Sequence, residues 1–548
     1  MKTQETDAPE KESQVGKTLF ELGDELNLNI PSSCGRNGEC HECVVEISNG
    51  IQALNERSDS ESFLKEPYRL ACQARVVVEQ PLVFSPLRRR PKILAAGRKK
   101  DNLLLEPMVT RREDRVYYGE KDIDHYRGRL LGIAVDLGTT TIVAELIDLE
   151  SGHSIERVSF ENPQKFGGSD VMHRISYDGG QHRGELTKSL VTVLNRTIRN
   201  FARAHKIPRR AIYEIAVAGN SSMRDLLFGL DVQGIGQKPY KSLTELEYRK
   251  GLRLSTELFE NGWHLGIRAN KETIIYGVPL IASHVGGDTA ACLTAIDIGA
   301  ISSETVMLVD VGTNTEVAIG NSDNLVVASC PAGPAFEGGL VKYGMPGYEG
   351  AIEAISIDAE TGNFDYQTIG NVSPIGLCGS GLIDLVAELR RHGRMTEKGV
   401  FQPNKKQSEI VVVPEHAITF SRADASALAQ ATAANYCGQY IAMRYLGLQP
   451  TDISTLYLAG GFANYVNVEN AIEIGFLPPV PKERIVKAGN AAIEGVCELL
   501  LSTSKRKALK QVIEKADHVE LETTEDFFDI FVEGCQFTPM PKLIGRGP

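Results

Sequence analysis

The chain has 548 residues, 59 Lys and Arg against 71 Asp and Glu, a formal charge of −12, and 42% hydrophobic residues. That length exceeds one hydrophobic core and predicts two to four globular domains. The acidic balance argues against nucleic acid as a partner, and no apolar run is long enough for a membrane span. The polar start, MKTQETDAPEKE, has no apolar signal-peptide core, so the expectation is a cytoplasmic protein with no membrane partner.

Residues 1–14 are polar and are expected to be disordered. From Gly16, apolar positions Leu19, Phe20, Leu22 and Leu26 predict a helix, followed by an irregular loop and a strand at Val44–Ile47. Four of the ten cysteines fall here, as C-x5-C-x2-C over Cys34, Cys40 and Cys43, then 28 intervening residues before Cys72 in RLACQ. Three thiolates on one loop and one from a distance can hold two irons, and Gly35 and Gly38 leave loop N–H groups free to point at sulfur. A structural zinc knuckle is the competing reading, disfavoured because zinc sites pair C-x2-C units and only one is present. His41 reads as an outer or solvent-facing residue. Over residues 15–83 this stretch resembles the [2Fe–2S] ferredoxins of plant and adrenodoxin type, which implies a small α+β (β-grasp) domain carrying one electron at a time.

Residues 84–128 read as a linker. Seven basic residues and no acid lie between Arg88 and Lys100, most simply a solvated tether. A flexible coil of that length would reach roughly 35–40 Å and let the cluster swing. Alternatively NLLLEPMV, Asn102–Val109, is apolar enough to dock on the large domain.

The remainder, 129–548, is organised around a repeated motif. IAVDLGTTT at Ile133–Thr141 returns as VDVGTNT at Val309–Thr315; Val135–Ala144 and Val309–Ala318 agree at seven of ten positions. Each predicts strand, glycine turn, strand, with one carboxylate at the strand end, Asp136 or Asp310. Turn N–H groups and Thr hydroxyls can hold phosphate oxygens, so two facing hairpins would grip a nucleotide triphosphate. Between them a helix is expected over Glu185–Ala204 and a buried strand at Ile212–Ala218, opening on GNSSM. In SHVGGDTAACLTA, Asp288 stands at a small-residue helix start and is a candidate for orienting water or magnesium. The glycine-rich CPAGPAFEGG and PIGLCGSGLIDL are expected to shape the cleft. Ser421 and Asp424 form a capping box for a helix to about Leu446. A strand at Leu456–Ala459 runs into Gly460-Gly461-Phe462, where a base or ribose can lie on the backbone. AGNAAIEG, Ala488–Gly495, opens a second small-residue helix, able to pack on the one at Asp288 as a hinge. The six isolated cysteines, Cys292, Cys330, Cys378, Cys437, Cys497 and Cys535, read as small core residues.

The order strand–DxGTT–strand, small-residue helix at Asp288, strand–DxGTN–strand, strand–AGGF and a last small-residue helix resembles the ASKHA superfamily of acetate and sugar kinases, chaperone ATPases and actin. The resemblance implies a large α/β domain of two lobes, dividing near residues 290–305 and closing on Mg-ATP. It places water-mediated Mg2+ on Asp136 and Asp310, and phosphates on Gly138, Thr139, Thr140, Thr141, Gly312, Thr313 and Asn314. Adenosine falls on Gly460 and Gly461, and Asp288 and Asp310 become the catalytic acids. The whole multidomain chain, with NPQ-x-F-GG-x-D-V-x-x-R-I, VGGDTAA, CGSGLID and LAGGF, is similar to the reductive activators of corrinoid proteins. That implies ATP-dependent reduction of Co(II) to Co(I) through a [2Fe–2S] cluster, in a methyltransferase or O-demethylase system. The implied partners are a corrinoid protein and a low-potential electron donor protein, with a homodimer left open. An activator of another low-potential metalloenzyme, and a redox-sensing ATPase acting by partner binding, are the competing functions. No carboxy-terminal cysteine-rich segment for further clusters is present; Cys535 stands alone.

Overall fold

A computed structural model describes residues 11–12, 15–26, 28, 30–32, 34–87, 103–301, 303–403, 406–461 and 463–541. The first ten residues, the basic run Arg88–Lys100 and Phe462 lie outside the described residues. The chain is a small cysteine-bearing module seated on a large two-lobed α/β body.

The small module is a four-stranded sheet in the order β1-β4-β2-β3, from β1 (Lys11–Glu12), β2 (Val44–Asn49), β3 (Tyr68–Leu70) and β4 (Pro81–Pro86). Its helix, Leu19–Glu25, starts at a capping box between Thr18 and Glu21 and buries Leu19, Phe20 and Leu22. The predicted disordered start is corrected at Lys11–Glu12, where pairing with Leu82 and Pro81 of β4 adds an edge strand that composition does not reveal. The return that delivers Cys72 is anchored by a buried ion pair: Arg69 Nε donates to Glu61 Oε1 at 2.7 Å and Nη2 to Oε2 at 3.1 Å. The Leu70 N–H donates to the same Glu61 carboxylate at 2.9 Å.

The predicted 84–128 tether is also corrected. Phe84–Pro86 completes β4, and β5 (Val109–Arg112), β6 (Arg115–Tyr118) and β7 (Lys121–His125) form an antiparallel meander. Val109 and Val116 are buried in a cluster with Leu130, Tyr213 and Leu500, so this segment is fastened to the large domain. Upstream, the Glu106 N–H donates to Leu501 O at 2.8 Å. Apolar alternation on short strands explains the difference: the neighbouring basic run hides it in composition.

The first lobe holds β8 (Leu131–Leu137), β9 (Thr141–Asp148), β10 (Ser154–Glu161), β11 (Ile212–Ala218), β12 (Leu258–Asn261) and β13 (Ile274–Gly277), ordered β10-β9-β8-β11-β13-β12. The second holds β14 (Val306–Val311), β15 (Thr315–Gly320) and β16 (Leu325–Cys330). A side sheet of β17 (Ala351–Ile357), β18 (Phe364–Thr368) and β19 (Gly376–Leu377) and a hairpin of β20 (Glu409–Val413) and β21 (Ile418–Ser421) follow. The second main sheet is completed by β22 (Thr455–Gly460), β23 (Ile485–Gly489) and β24 (Ala516–His518), ordered β23-β22-β14-β15-β16-β24. The sequence repeat is a structural one. In each lobe an antiparallel three-strand meander carries the motif hairpin, and a later strand pairs in parallel with its first member, β11 with β8 and β22 with β14.

Two helices of small residues meet between the lobes. Gly287–Ala295 and Ala491–Leu501 touch so closely that a Cβ on Gly495 would lie 1.8 Å from Ala291 O. The long Arg422–Tyr445 helix begins at the Ser421/Asp424 capping box and covers the second sheet. Among the described residues no helix is long and apolar enough to cross a membrane.

Candidate functional sites: a thiol loop and an interlobe cleft

The two carboxylate-bearing hairpins face each other across the interlobe cleft. Asp136 sits near the end of β8 and Asp310 near the end of β14, and both line a cavity of about 150 Å³. Gly138, Thr139, Thr140 and Thr141 line it from the first lobe, and Gly312, Thr313, Asn314, Gly460 and Gly461 from the second. Gly138 stands in a turn so tight that a Cβ would meet Thr141 O at 2.5 Å. Gly460 has φ +115° with Val311 O 2.1 Å from the position of a Cβ, so only glycine fits where β22 ends beside β14. Asp288 opens the Gly287–Ala295 helix and reaches the same cavity.

Three residues unassigned from sequence join them. Asn490 Nδ2 donates to Asp136 Oδ2 at 3.0 Å while its Oδ1 caps the Ala491–Leu501 helix, so this helix start orients the first carboxylate. Asn220 caps the helix Ser221–Leu227 and donates to Thr139 Oγ1 at 2.9 Å. Glu337, inside the PAFEGG stretch, accepts from Thr140 Oγ1 at 3.1 Å and from Thr313 Oγ1 at 2.5 Å. One carboxylate thus bridges both hairpins and draws the lobes together. The cavity that remains is smaller than the few hundred Å³ of a typical ligand site. Each of the three lies inside a motif visible in sequence, but pairings that span from 24 to 354 residues have no local signature.

The electrostatics follow from burial. Burial pushes Asp136 up to about 7, aided by Asp288 and Asp310 and opposed by the Asn490 amide. Burial and then Asp310 push Asp288 up to about 7, against the Thr289 N–H. Burial also raises Asp310, Glu316 and Glu337. Five buried carboxylates in one cleft favour protons or a cation. Among the described residues no three His, Cys, Asp or Glu side chains are close enough to hold a metal ion directly. Carboxylate oxygens lining the cleft would suit a hard cation such as Mg2+, which keeps several waters beside phosphates.

In the small module the four cysteine sulfurs stand as two pairs. Cys43 Sγ lies 3.4 Å from Cys72 Sγ, and Cys34 is hydrogen-bonded to the thiol and N–H of Cys40. Burial raises Cys34, but hydrogen bonds from Cys40, the Asn37 N–H and Ser32 outweigh it and bring the thiol down to about 6. Cys72 is brought down to about 7 by Cys43, with Gln73 and the Gly38 N–H adding to it. Two pairs of thiols with loop N–H groups aimed at sulfur fit two irons taking two thiolates each, better than one zinc held by four.

His41 is not solvent-facing. It stacks on Phe63 at 4.0 Å and bonds Glu185 at 2.8 Å, at the start of the Glu185–Ala204 helix in the first lobe. Lys165 to Glu46 at 2.8 Å, Arg196 to Glu42 at 2.6 Å, and a hydrogen bond from Tyr177 OH to Phe63 O complete the junction. The apolar cores of module and first lobe are continuous. A freely swinging module is therefore corrected to a seated one. The helix Val171–Asp178 stands at this junction: Tyr177 reaches the module, and the buried Arg174 donates to Gly168 O at 3.0 Å and to Gln164 Oε1 at 3.3 Å.

These features define an iron–sulfur ferredoxin domain joined to a nucleotide-binding ASKHA domain. Three family models match in succession: a 2Fe–2S iron–sulfur cluster binding domain over 3–77, the RACo middle region over 131–301, and the C-terminal domain of RACo, the ASKHA domain, over 304–543. The chain belongs to the family of reductive activators of corrinoid proteins. It is 29% identical over 432 residues to the corrinoid activation enzyme RamQ of Eubacterium limosum, covering 74% of this chain and 70% of that one. It is 26% identical over 430 residues to a [Co(II) methylated amine-specific corrinoid protein] reductase of Methanosarcina barkeri, covering 74% and 76%. A solved reductive activator for a corrinoid, iron-sulfur protein superposes with a TM-score of 0.71 at 26% identity, over 95% and 96% of the two chains.

Proposed function

We propose that this chain is an enzyme that uses ATP to return a Co(II) corrinoid protein to Co(I), one electron at a time, in a methyltransferase or O-demethylase system. The observation that carries the reading is the seating of the thiol module on the lobe that forms half of the nucleotide cleft. There His41 bonds Glu185 at 2.8 Å and Tyr177 OH donates to Phe63 O. Nucleotide entering the cleft must displace Glu337 from Thr140 and Thr313, and the module rides on the lobe that responds.

The roles divide accordingly. The Gly138–Thr141 and Gly312–Asn314 turns receive phosphates, and Gly460 and Gly461 underlie the adenosine. Asp136 and Asp310 would hold Mg2+ through water, and Asp288, in the same cavity, is placed to orient a water at the phosphates. Cys34 with Cys40, and Cys43 with Cys72, hold the [2Fe–2S] cluster, which when bound supplies one-electron storage. Reduction to Co(I) is unfavourable for ordinary donors; ATP can assist only by favouring one conformational or docked state over another. Ten cysteines without a disulfide among them support a cytoplasmic setting.

The test mixes the reduced, cluster-loaded protein with a Co(II) corrinoid protein and follows the Co(I) spectrum with and without Mg-ATP. Co(I) appearing only with ATP, and not in Cys40→Ser, is expected. An electron leaving the protein without Co(I) points to another low-potential metalloenzyme as acceptor. ATP-dependent partner binding that survives Cys40→Ser with no electron delivered points to a redox-sensing ATPase. Either result overturns the proposal.

A further inference from the structure

Beside the cysteine loop lies an open basin of about 740 Å³ whose character opposes the chain's net charge. Arg199, Arg203, Arg209 and Arg268 converge on it. Among the described residues Arg199, Arg203 and Arg209 have no carboxylate partner. Its floor includes Glu42, the residue between Cys40 and Cys43, held by Arg196 at 2.6 Å. On the rim, Arg268 stacks over Trp263 at 4.8 Å, and this sole tryptophan is 47% exposed. Exposed Trp and Arg together are the residue types that carry most binding energy at protein interfaces. Arg203, Arg209 and Arg268 are exposed and Arg199 is half-buried, so four guanidinium groups crowd one accessible face that an acidic surface would complement.

We infer that this basin is the docking site of an acidic electron-donor protein, which hands its electron to the cluster across the Cys40–Cys43 loop. The inference rests on the reading that the four cysteines carry a cluster. Donor rather than acceptor follows from composition of the face. It is built from the small module and the first lobe alone, with no residue from the second lobe or the cleft. Its shape is therefore independent of lobe closure, whereas the acceptor's docking is the step that ATP must bias. When a flavoprotein donor is used, one electron leaves the flavin hydroquinone anion, giving a neutral flavin radical. One ferric iron becomes ferrous, and no proton moves.

The experiment follows cluster bleaching in the cluster-loaded full chain by stopped flow, with two reductants. Photoreduced deazariboflavin is neutral and needs no docking site; an acidic flavodoxin in its hydroquinone form does. In the parent, the flavodoxin rate should fall steeply with added salt. Arg199→Glu with Arg203→Glu should lower that rate at least tenfold and leave the deazariboflavin rate unchanged. Trp263→Ala, which alters no charge, should weaken flavodoxin binding by about tenfold in calorimetry. A flavodoxin rate that ignores salt or survives the charge reversal overturns the inference. So does a reversal that spares the donor rate while abolishing binding of the corrinoid acceptor. Failure of deazariboflavin to bleach the parent instead sinks the cluster reading itself.

Discussion

Replacement of Gly495 by alanine tests whether the close contact of the two small-residue helices sets the cleft. The new methyl carbon would fall 1.8 Å from Ala291 O and 2.4 Å from its carbonyl carbon. A carbon–oxygen contact settles near about 3.3 Å, so the helices must part by roughly 1.5 Å. The obstacle is backbone, and no side chain can swing away. Overpacking of this kind costs about 1–3 kcal/mol, and the upper end applies where main chain must move. Alanine recovers up to about 1 kcal/mol of helix propensity, leaving a net loss near 2 kcal/mol. Because one helix opens with Asp288 and the other is capped by the Asn490 that holds Asp136, the same displacement misplaces both carboxylates. Nucleotide affinity should fall by about tenfold, equivalent to 1.4 kcal/mol. Urea unfolding and calorimetric titration with Mg-ATP provide the two readings. An unfolding midpoint and an affinity both equal to the parent's would refute the argument.

Three further outcomes follow from the cleft and the thiol loop. Glu337→Gln removes the charge that both hairpin threonines satisfy, so ATP should bind roughly three- to tenfold more tightly, the value of part of one charge-assisted hydrogen bond; weaker binding would show that Glu337 serves the nucleotide instead. Asp136 and Asp288 are raised in the folded protein to about 7, so the native state holds more protons than the unfolded chain between about pH 4 and pH 7. The nucleotide-free protein should lose stability as pH rises through that window, and Mg-ATP should flatten the slope and release protons, seen as buffer-dependent heats. Glu61→Ala leaves Arg69 buried and unpaired, which should cost about 3–5 kcal/mol in the small module and lower cluster retention, read from visible absorbance after gel filtration. Retention equal to the parent's would show that the Cys72 return holds itself.

Elements whose residues contact near neighbours were legible in sequence. The DxGT hairpins, the capped helix after Ser421 and the strand Ile212–Ala218 all announce themselves through periodicity, turn glycines or cap spacing. The ferredoxin-like cysteine spacing is equally local. Docking of Asn102–Val109 on the large domain is readable from its apolar run, but the meander beyond it is not, because seven basic residues just upstream dominate the composition and its apolar content rests on few positions such as Val116. His41, Asn490 and Glu337 acquire meaning only from partners far along the chain. His41 meets Glu185 across 144 positions and Asn490 meets Asp136 across 354, distances over which no pattern of a single sequence reports.

The chain passes between the lobes three times: after Gly287–Ala295 on the way to β14, at Asn490 between β23 and the next helix, and at Lys515 between Thr503–Glu514 and β24. Three crossings along one seam leave the lobes little but rotation about an axis through that seam, so opening has one degree of freedom. Asn490 stands at one of these crossings and there donates to Asp136. The thiol module, mounted away from the seam on the first lobe, acts as the end of a lever. Any rotation about that seam would displace Cys34 and Cys40, relative to the second lobe, by more than it displaces the cleft.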